Sequence, residues 1–288
     1  MIKINRTLIV SDLDGTLLNS EERLTMQTRA VINGFVKWGG HFTFATARPY
    51  SSAMRLLSGL ITSQPVIVCN GARIIDPITD KTLTSINFSR EQVQEIKYLM
   101  ETLNLCPLVF SYEEDEERLL FVEGRENEGI LHFLNKQKGQ KRITAVKETK
   151  DLYQGNIADI TCIGTREELS YLYERMNRNI KYTCIFQQEL NRPEYWCEIM
   201  PRSATKGESI KLLRQLGGYE QIITFGDGLN DVSMFREADW CYAVENAHPI
   251  LKKMATGYIK NCDMDGVARW IMEHMRMYPL TEQMTNIS

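Results

Sequence analysis

Short apolar runs that alternate with helix-like segments recur at both ends of the chain. The early runs and helical segments cover residues 7–10, 24–38, 41–45, 51–60 and 65–69. The alternation returns over residues 206–275, with apolar runs at 221–225 and 241–244. Strands that are apolar on both faces and are joined by helices form parallel sheets covered by helices on both sides. The pattern therefore predicts one α/β domain, with a Rossmann-like, doubly wound parallel sheet, built from both ends of the chain.

The stretch between these ends has a different order of predicted strands and helices. From residue 84 to residue 193, strands come in adjacent pairs as well as alternating with helices, which predicts an inserted α+β domain. The acidic run at 113–117 separates two apolar strands and is predicted to be a solvated hairpin tip. We expect a core of residues 1–83 and 194–288 with an inserted domain of residues 84–193.

Composition limits the partners and the compartment. The chain has 288 residues, with 34 Lys and Arg against 37 Asp and Glu, so its net charge of −3 argues against a polybasic nucleic-acid binder. No apolar run approaches the roughly 18 to 20 residues of a membrane span. Seven cysteines without a C-x-x-C pair favour neither a disulfide framework nor a thiolate zinc site. We expect a cytoplasmic protein with no nucleic-acid or membrane partner.

Paired carboxylates follow the first apolar run, in the segment DLDGT over residues 12–16. Residues two apart in extended backbone point the same way, so Asp12 and Asp14 can face one site at the carboxyl end of a parallel strand. A divalent cation such as Mg²⁺ relieves the repulsion between them; one carboxylate can then attack while the other handles protons. A calcium loop of the EF-hand type is disfavoured, because Leu17 and Arg23 stand where Gly and Glu are needed. A plain polar turn stays open.

A second acidic segment, GDGLND over residues 226–231, follows the apolar run at 221–225 and opens a helix. Asp227 can complete an all-oxygen cation site, and Asn230 lies near a helix N-terminus, which suits anions. A cluster of this composition alone is more often a turn. Its occurrence together with the first segment favours a functional site.

Two further positions suit a phosphate group. Thr46 and the backbone N–H of Ala47 follow the apolar run at 41–45 and can hold a phosphate oxygen. Lys206 lies in the first turn of a helix capped by Thr205, where its ammonium can neutralise a phosphate and an attacking carboxylate. Taken singly, a Thr at a strand end is usually structural, and an exposed helical Lys is usually solvated.

The four segments, in this order, resemble the motifs of the haloacid dehalogenase superfamily, and more narrowly its Cof-like phosphatases. The order is D-x-D-G-T-L after the first strand, Thr after the second, Lys at a helix start after a long insertion, and G-D-G-x-N-D after a later strand. Asn70-Gly71 and the segment DGVA at 265–268 are also similar to Cof-like sequences. The resemblance covers essentially the whole chain and implies a core with an inserted α+β cap domain.

The resemblance also implies an activity and roles for individual residues. It implies a Mg²⁺-dependent phosphatase that hydrolyses small phosphate monoesters, such as sugar phosphates, through an aspartyl-phosphate on Asp12, with Asp14 as general acid and base. Mg²⁺ would be held by the carboxylates of Asp12 and Asp227 and the backbone carbonyl of Asp14, with Asp231 supporting from nearby. The implied phosphate ligands are Thr46, the Leu13 and Ala47 N–H groups, Lys206 and Asn230. The implied partner is a small phosphorylated metabolite, bound by a monomer or a small homo-oligomer.

Two positions depart from the family pattern. Ala47 stands where members usually carry Gly, which adds a Cβ beside the phosphate. Glu245 stands where a Gly usually precedes Asn-Ala, and it can either tune the site or point away from it.

Two other functions stay open at this point. A sugar phosphomutase resembles the same core and cap, but it needs basic cap residues for a second phosphate, and the cap's Arg and Lys residues form no recognisable pattern. A non-enzymatic sensor on the same scaffold predicts the loss of at least one chemical residue. Asp12, Asp14, Lys206 and Asp227 are all present.

Overall fold

The structure, a computed structural model, describes residues 4–113, 116–189 and 192–275. Its internal contacts divide the chain into two compact units. The first unit combines the segment that ends at Thr84 with the segment that begins at Thr205, and the second unit is Ser85–Ala204.

The chain enters the first unit, crosses to the second, and returns. The first segment of the first unit contains β1 (Thr7–Ser11), α1 (Met26–Lys37), β2 (His41–Phe44), α2 (Tyr50–Leu56), β3 (Val66–Val68), β4 (Arg73–Asp76) and β5 (Lys81–Ser85), of which the last residue already belongs to the second unit. The second unit contains α3 (Arg90–Thr102), β6 (Leu108–Glu113), β7 (Glu116–Val122), α4 (Glu128–Lys136), β8 (Ile143–Val146), β9 (Asn156–Gly164), α5 (Arg166–Arg178), β10 (Tyr182–Gln188) and β11 (Tyr195–Pro201). The returning segment contains α6 (Lys206–Gly217), β12 (Gln221–Gly226), α7 (Val232–Glu237), β13 (Trp240–Val244), α8 (Pro249–Met254), β14 (Gly257–Ile259) and α9 (Gly266–His274).

A parallel sheet forms the centre of the first unit, in the order β14-β13-β12-β1-β2. Every residue of β1 is buried, which explains why its sequence is apolar without alternation. A parallel bridge between Ala45 and Ile67 brings β3 beside β2. The strand order reverses between β1 and β12, and ligands of open α/β sheets bind at the carboxyl ends of strands at such a reversal. The predicted fold class is confirmed.

The second unit is built on a six-stranded sheet in the order β10-β11-β9-β6-β7-β8, antiparallel except between β7 and β8. Residues of α3 and α5, among them Ile96 and Leu172, pack with the strand residues Val109 and Ile160 in one apolar cluster. Both helices begin with a capping box, in which the cap side chain and the side chain three residues later bond each other's backbone N–H. This unit is α+β, as its sequence predicts.

The predicted boundary after residue 193 is wrong. Strand β11 lies between β10 and β9, with Trp196 opposite both Gln187 and Ile163. Residues 194–204 therefore belong to the second unit, because their backbone hydrogen bonds are made there. Of the acidic run, Glu113 and Glu116 face each other at the end of the β6–β7 ladder, while residues 114 and 115 lie outside the described part.

None of the helices in the described residues combines the length and the apolar composition that crossing a membrane requires.

Candidate active site

Three acidic residues converge where β1 and β12 end. The two strands pair in parallel, and the N–H of Asp12 donates to the carbonyl of Phe225 over 2.9 Å. Asp227 follows β12 directly, and Asp231 lies one helical turn further on. One carboxylate oxygen from each of Asp12, Asp227 and Asp231 lies within 4.8 Å of the other two. The two acidic motifs of the sequence are thus brought together, although more than two hundred residues separate them.

Lys206 places a buried ammonium among these carboxylates. It is the first residue of α6, whose start is fixed by Thr205, because the Thr205 hydroxyl accepts a hydrogen bond from the N–H of Glu208. Its Nζ lies 2.5 Å from Oδ1 of Asp12 and 2.7 Å from Oδ1 of Asp231. Burial alone lowers the pKa of Lys206, but the two carboxylates outweigh this effect and raise it. The ammonium therefore stays charged.

The cluster carries more negative charge than Lys206 can balance. Burial raises the pKa of Asp12 well above its ordinary value; the nearby Lys206 opposes this shift, and Asp231 and Asp227 add to it. Burial, with repulsion from Asp231, also raises the pKa of Asp227 to about 7. A divalent cation would relieve the repulsion among these carboxylates, and oxygen donors of this kind suit a hard divalent ion. The residues present therefore fit a divalent metal.

Asp231 organises the loop that carries Asp227. Its Oδ2 accepts hydrogen bonds of 2.9 Å from the N–H groups of both Asp227 and Gly228. Thr16 donates from its hydroxyl to Asp227 over 3.2 Å. Gly15 has a φ of 74°, and a Cβ at this position would lie 2.5 Å from Oδ2 of Asp227. The Gly-Thr pair of the first motif is thus required by its close contact with the second motif.

The Asp14 side chain lies outside the three-carboxylate cluster. Its carboxylate accepts two hydrogen bonds from Arg48, of 2.7 Å from Nε and 2.6 Å from Nη2. Nη2 of Arg48 also bonds Glu22 over 2.7 Å. The sequence pattern predicts no role for Arg48, although the residue follows Thr46-Ala47 directly; only the fold places it beside Asp14.

The predicted phosphate ligands lie on the segments that end beside this cluster. Thr46 is fully buried, and its Oγ1 accepts a hydrogen bond from the N–H of Arg48 over 3.0 Å, so its own O–H can be aimed at a ligand. Leu13 follows Asp12, and Ala47 is exposed. Asn230 is half-buried and donates from Nδ2 to Oδ1 of Asn70 over 3.1 Å.

The structure shows the backbone of one departure from the family pattern and the side-chain partner of the other. Ala47 is not among the described residues with a positive φ, so its Cβ brings no backbone strain. Glu245 is exposed and pairs with Lys260 over 3.0 Å, which lowers the pKa of Glu245. The neighbouring Asn246, for which the sequence pattern predicts no role, donates from Nδ2 to the carbonyl of Gly15 over 2.8 Å.

Residues 9–271 match the sequence model of a protein family, the haloacid dehalogenase-like hydrolases. The chain belongs to this family. Membership of this family explains the order of the four sequence segments, and the Cof-like resemblance is confirmed.

Relatives of this hydrolase carry different substrates in their names. It is 28% identical to the 5-amino-6-(5-phospho-D-ribitylamino)uracil phosphatase YwtE of Bacillus subtilis, over 91% of this chain and 96% of that protein. It is 26% identical to the HMP-PP phosphatase of Serratia proteamaculans, over 95% of this chain and 97% of that protein.

Solved structures share the fold of this haloacid dehalogenase-like hydrolase. A haloacid dehalogenase-like hydrolase from Bacteroides thetaiotaomicron is 25% identical, with a TM-score of 0.75, over 93% of this chain and 98% of that one. The sugar phosphatase BT4131 is 22% identical, with a TM-score of 0.74, over the same shares of the two chains.

Proposed function

We propose that the chain is a Mg²⁺-dependent phosphoric monoester hydrolase that acts on small phosphorylated metabolites through an aspartyl-phosphate on Asp12. Membership of the hydrolase family and relatives named as phosphatases support the phosphatase activity. The observation that carries the mechanism is the buried Lys206 ammonium bound to Asp12 and Asp231 in a cluster of three carboxylates. Phosphoryl transfer depends on positioning and charge neutralisation, which this cluster supplies.

The first half-reaction uses the buried carboxylate as nucleophile. Lys206 holds Oδ1 of Asp12, so Oδ2 is the oxygen that attacks phosphorus in line with the ester oxygen. Thr46, Asn230 and the N–H groups of Leu13 and Ala47 hold the phosphoryl oxygens. Asp14 donates a proton to the leaving alkoxide, for which its carboxyl must part from Arg48 and be protonated.

The second half-reaction returns the enzyme to its starting state. Asp14, now ionised, takes a proton from a water molecule that attacks phosphorus and breaks the bond to Oδ2 of Asp12. The products are inorganic phosphate and the free Asp12 carboxylate. Lys206 keeps that carboxylate in place throughout, because its ammonium is buried and bonded to both Asp12 and Asp231.

Mg²⁺ would be held by the carboxylates of Asp12 and Asp227 and the backbone carbonyl of Asp14. When bound, it would supply positive charge that offsets the charge of the phosphoryl group and of the carboxylates. Asp231 supports this site from its hydrogen bonds to the Asp227 loop and to Lys206.

The substrate is a small phosphate ester, with sugar phosphates as the proposed class. The two phosphatases named above, from Bacillus subtilis and Serratia proteamaculans, carry other substrates in their names. Their identities to this chain, 28% and 26%, are too similar to favour the substrate of either one. We further propose that the second unit is the predicted cap domain and that the protein works in the cytoplasm as a monomer or small homo-oligomer.

The test is phosphate release from a panel of phosphorylated metabolites, with Mg²⁺ and with a chelator. Asp12→Asn is compared with the wild type, and Asp80→Asn serves as the matched control, because Asp80 is exposed and lies outside the cluster. Mg²⁺-dependent release by the wild type and the control, with a loss of at least about a thousandfold in Asp12→Asn, supports the mechanism. Release by Asp12→Asn at the control rate contradicts it. If the folded wild type releases none, the products are analysed for isomerised sugar phosphate, the signature of a mutase.

A further inference from the structure

A turn of left-handed backbone directly follows β3. Cys69, Asn70 and Gly71 have φ values of 51°, 53° and 98°. Residues other than glycine adopt this region rarely, and Asn tolerates it better than most. Consecutive residues persist there only where surrounding contacts hold them, and such strain clusters at functional sites. Asn70 is also almost fully buried, at 4% exposure.

The backbone of this turn is bonded to the segment that carries Thr46. The N–H of Asn70 donates to the carbonyl of Thr46 over 2.9 Å, and the N–H of Cys69 donates to the carbonyl of Arg48 over 3.0 Å. These bonds fix the position of the turn relative to Thr46, the proposed phosphate ligand at the end of β2.

The same turn is packed against the start of α6. The carbonyl of Gly71 accepts a hydrogen bond from the Ser209 hydroxyl over 3.1 Å. A Cβ at Gly71 would lie 2.3 Å from the carbonyl oxygen of Thr205 and 2.9 Å from the backbone nitrogen of Lys206. Only glycine allows this approach, so the turn also fixes where the backbone of Lys206 lies.

The Asn70 side chain completes the set of contacts. Its Oδ1 accepts the 3.1 Å hydrogen bond from Nδ2 of Asn230. An amide nitrogen carries two N–H donors in one plane, so fixing one donor fixes the direction of the other. The turn thus contacts all three segments that carry the side chains proposed to bind phosphate, namely Thr46, Lys206 and Asn230.

We propose that Asn70 is a positioning residue for the phosphoryl group, which orients the second N–H of Asn230 toward it. This inference rests on the proposed function, since it needs a phosphoryl group at that place. Asn70 acts through Asn230, and the left-handed turn holds Asn70 where its oxygen can do so.

The test separates the Asn70 amide from the shape of the turn. Asn70→Gly removes the side chain, while glycine adopts the positive φ readily. Asn104→Gly is the matched control: Asn104 has a φ of 52°, and its Oδ1 also accepts one hydrogen bond, from Arg125 over 2.9 Å, but it is exposed and lies in the second unit. Thermal unfolding of both variants verifies that each is folded.

Two quantities are measured, both with Mg²⁺ present: kcat/KM on an active phosphate ester and the Kd of inorganic phosphate. Asn70→Gly is expected to lower kcat/KM and to raise the Kd of phosphate, each by about tenfold, because it loses one hydrogen bond that orients a ligand-binding amide. For Asn104→Gly, both quantities are expected to stay within about twofold of wild type. A double-mutant cycle with Asn230→Ala provides the readout that a merely structural role would not move. The double variant is expected to be no worse than Asn230→Ala alone.

Three results overturn the inference: Asn70→Gly at wild-type levels, a loss shared equally by Asn104→Gly, or losses that multiply in the double variant. A wild type that hydrolyses no ester refutes the proposed function separately. In that case the phosphate Kd values of the same variants still decide whether Asn70 positions Asn230.

Discussion

Replacing Lys206 by Met would remove the only ammonium that contacts the carboxylate cluster in the described part of the chain. The substitution keeps the length and apolar stem of the side chain but deletes the bonds of 2.5 Å to Asp12 and 2.7 Å to Asp231. Three carboxylates then share one site with no balancing charge. Removing one partner of a buried ion pair typically costs about 3 to 5 kcal/mol, and we expect a loss in this range at pH 8.

The loss should depend on pH in a direction that the structure fixes. Lys206 opposes the rise in the pKa of Asp12, so its removal raises that pKa further. When the pKa of a carboxyl is higher in the folded state than in the unfolded state, the protein loses stability as the pH rises through the folded-state pKa. The reason is that the carboxyl ionises more easily in the unfolded chain. Lys206→Met should therefore be less destabilised at pH 5, where protonation relieves the repulsion, than at pH 8.

The assay is guanidinium unfolding at both pH values, without metal. Lys211→Met on the same helix is the matched control, because Lys211 is exposed and its ion pairs with Glu208 and Glu237 contribute little. In thermal unfolding at pH 8, the expected loss corresponds to a midpoint lowered by roughly 6 to 20 °C for a unit of this size. A Lys206→Met variant as stable as Lys211→Met at pH 8, or more strongly destabilised at pH 5, would refute the reasoning.

Two other outcomes follow from the half-buried carboxyl groups of Asp159 and Asp227. Burial, with repulsion from Glu198, raises the pKa of Asp159 well above its ordinary value. Asp159→Asn should therefore unfold at a higher urea concentration than wild type at pH 8, and this gain in stability should shrink toward pH 4. A variant that is less stable than wild type at pH 8 would count against this. In the metal-free chain the pKa of Asp227 is raised to about 7, so Mg²⁺ should bind more tightly at pH 8 than at pH 6 and release protons at pH 6. Calorimetric titration in two buffers of different ionisation enthalpy measures both effects, and equal affinity at the two pH values would contradict the second.

The sequence predicts much of the first unit because strands such as β1 and β3 are fully buried. A continuous apolar run such as β1 is visible without knowledge of its neighbours. Some of the strands that the sequence does not predict are short or exposed: β14 has three residues, and β5 has no buried residue. Strand β11 is not predicted as a strand, and its residues are predicted to belong to the core, because its pairing with β10 and β9 is tertiary and no local pattern reports it.

The candidate site follows the same division. Motif order predicts roles for Asp12, Asp227 and Lys206, because the two acids each follow a recognisable strand and Lys206 begins a recognisable helix. Other side-chain contacts of the candidate site join segments that are far apart in the chain. The pairing of Arg48 with Asp14 and the bond from Asn230 to Asn70 are examples, and neither can be read from spacing.

The most direct test of the central claim looks for the phosphoryl group on Asp12 itself. Wild type and Asp14→Asn are mixed with an active phosphate ester and Mg²⁺, quenched in acid, digested and examined by mass spectrometry. Asp14→Asn should retain the intermediate longer, because the residue that activates the water is lost. The mechanism predicts a peptide that contains Asp12 and is heavier by one phosphoryl group, with the modification on Asp12. Phosphoryl transfer to another residue, or turnover with no phosphorylated peptide in either protein, would contradict it.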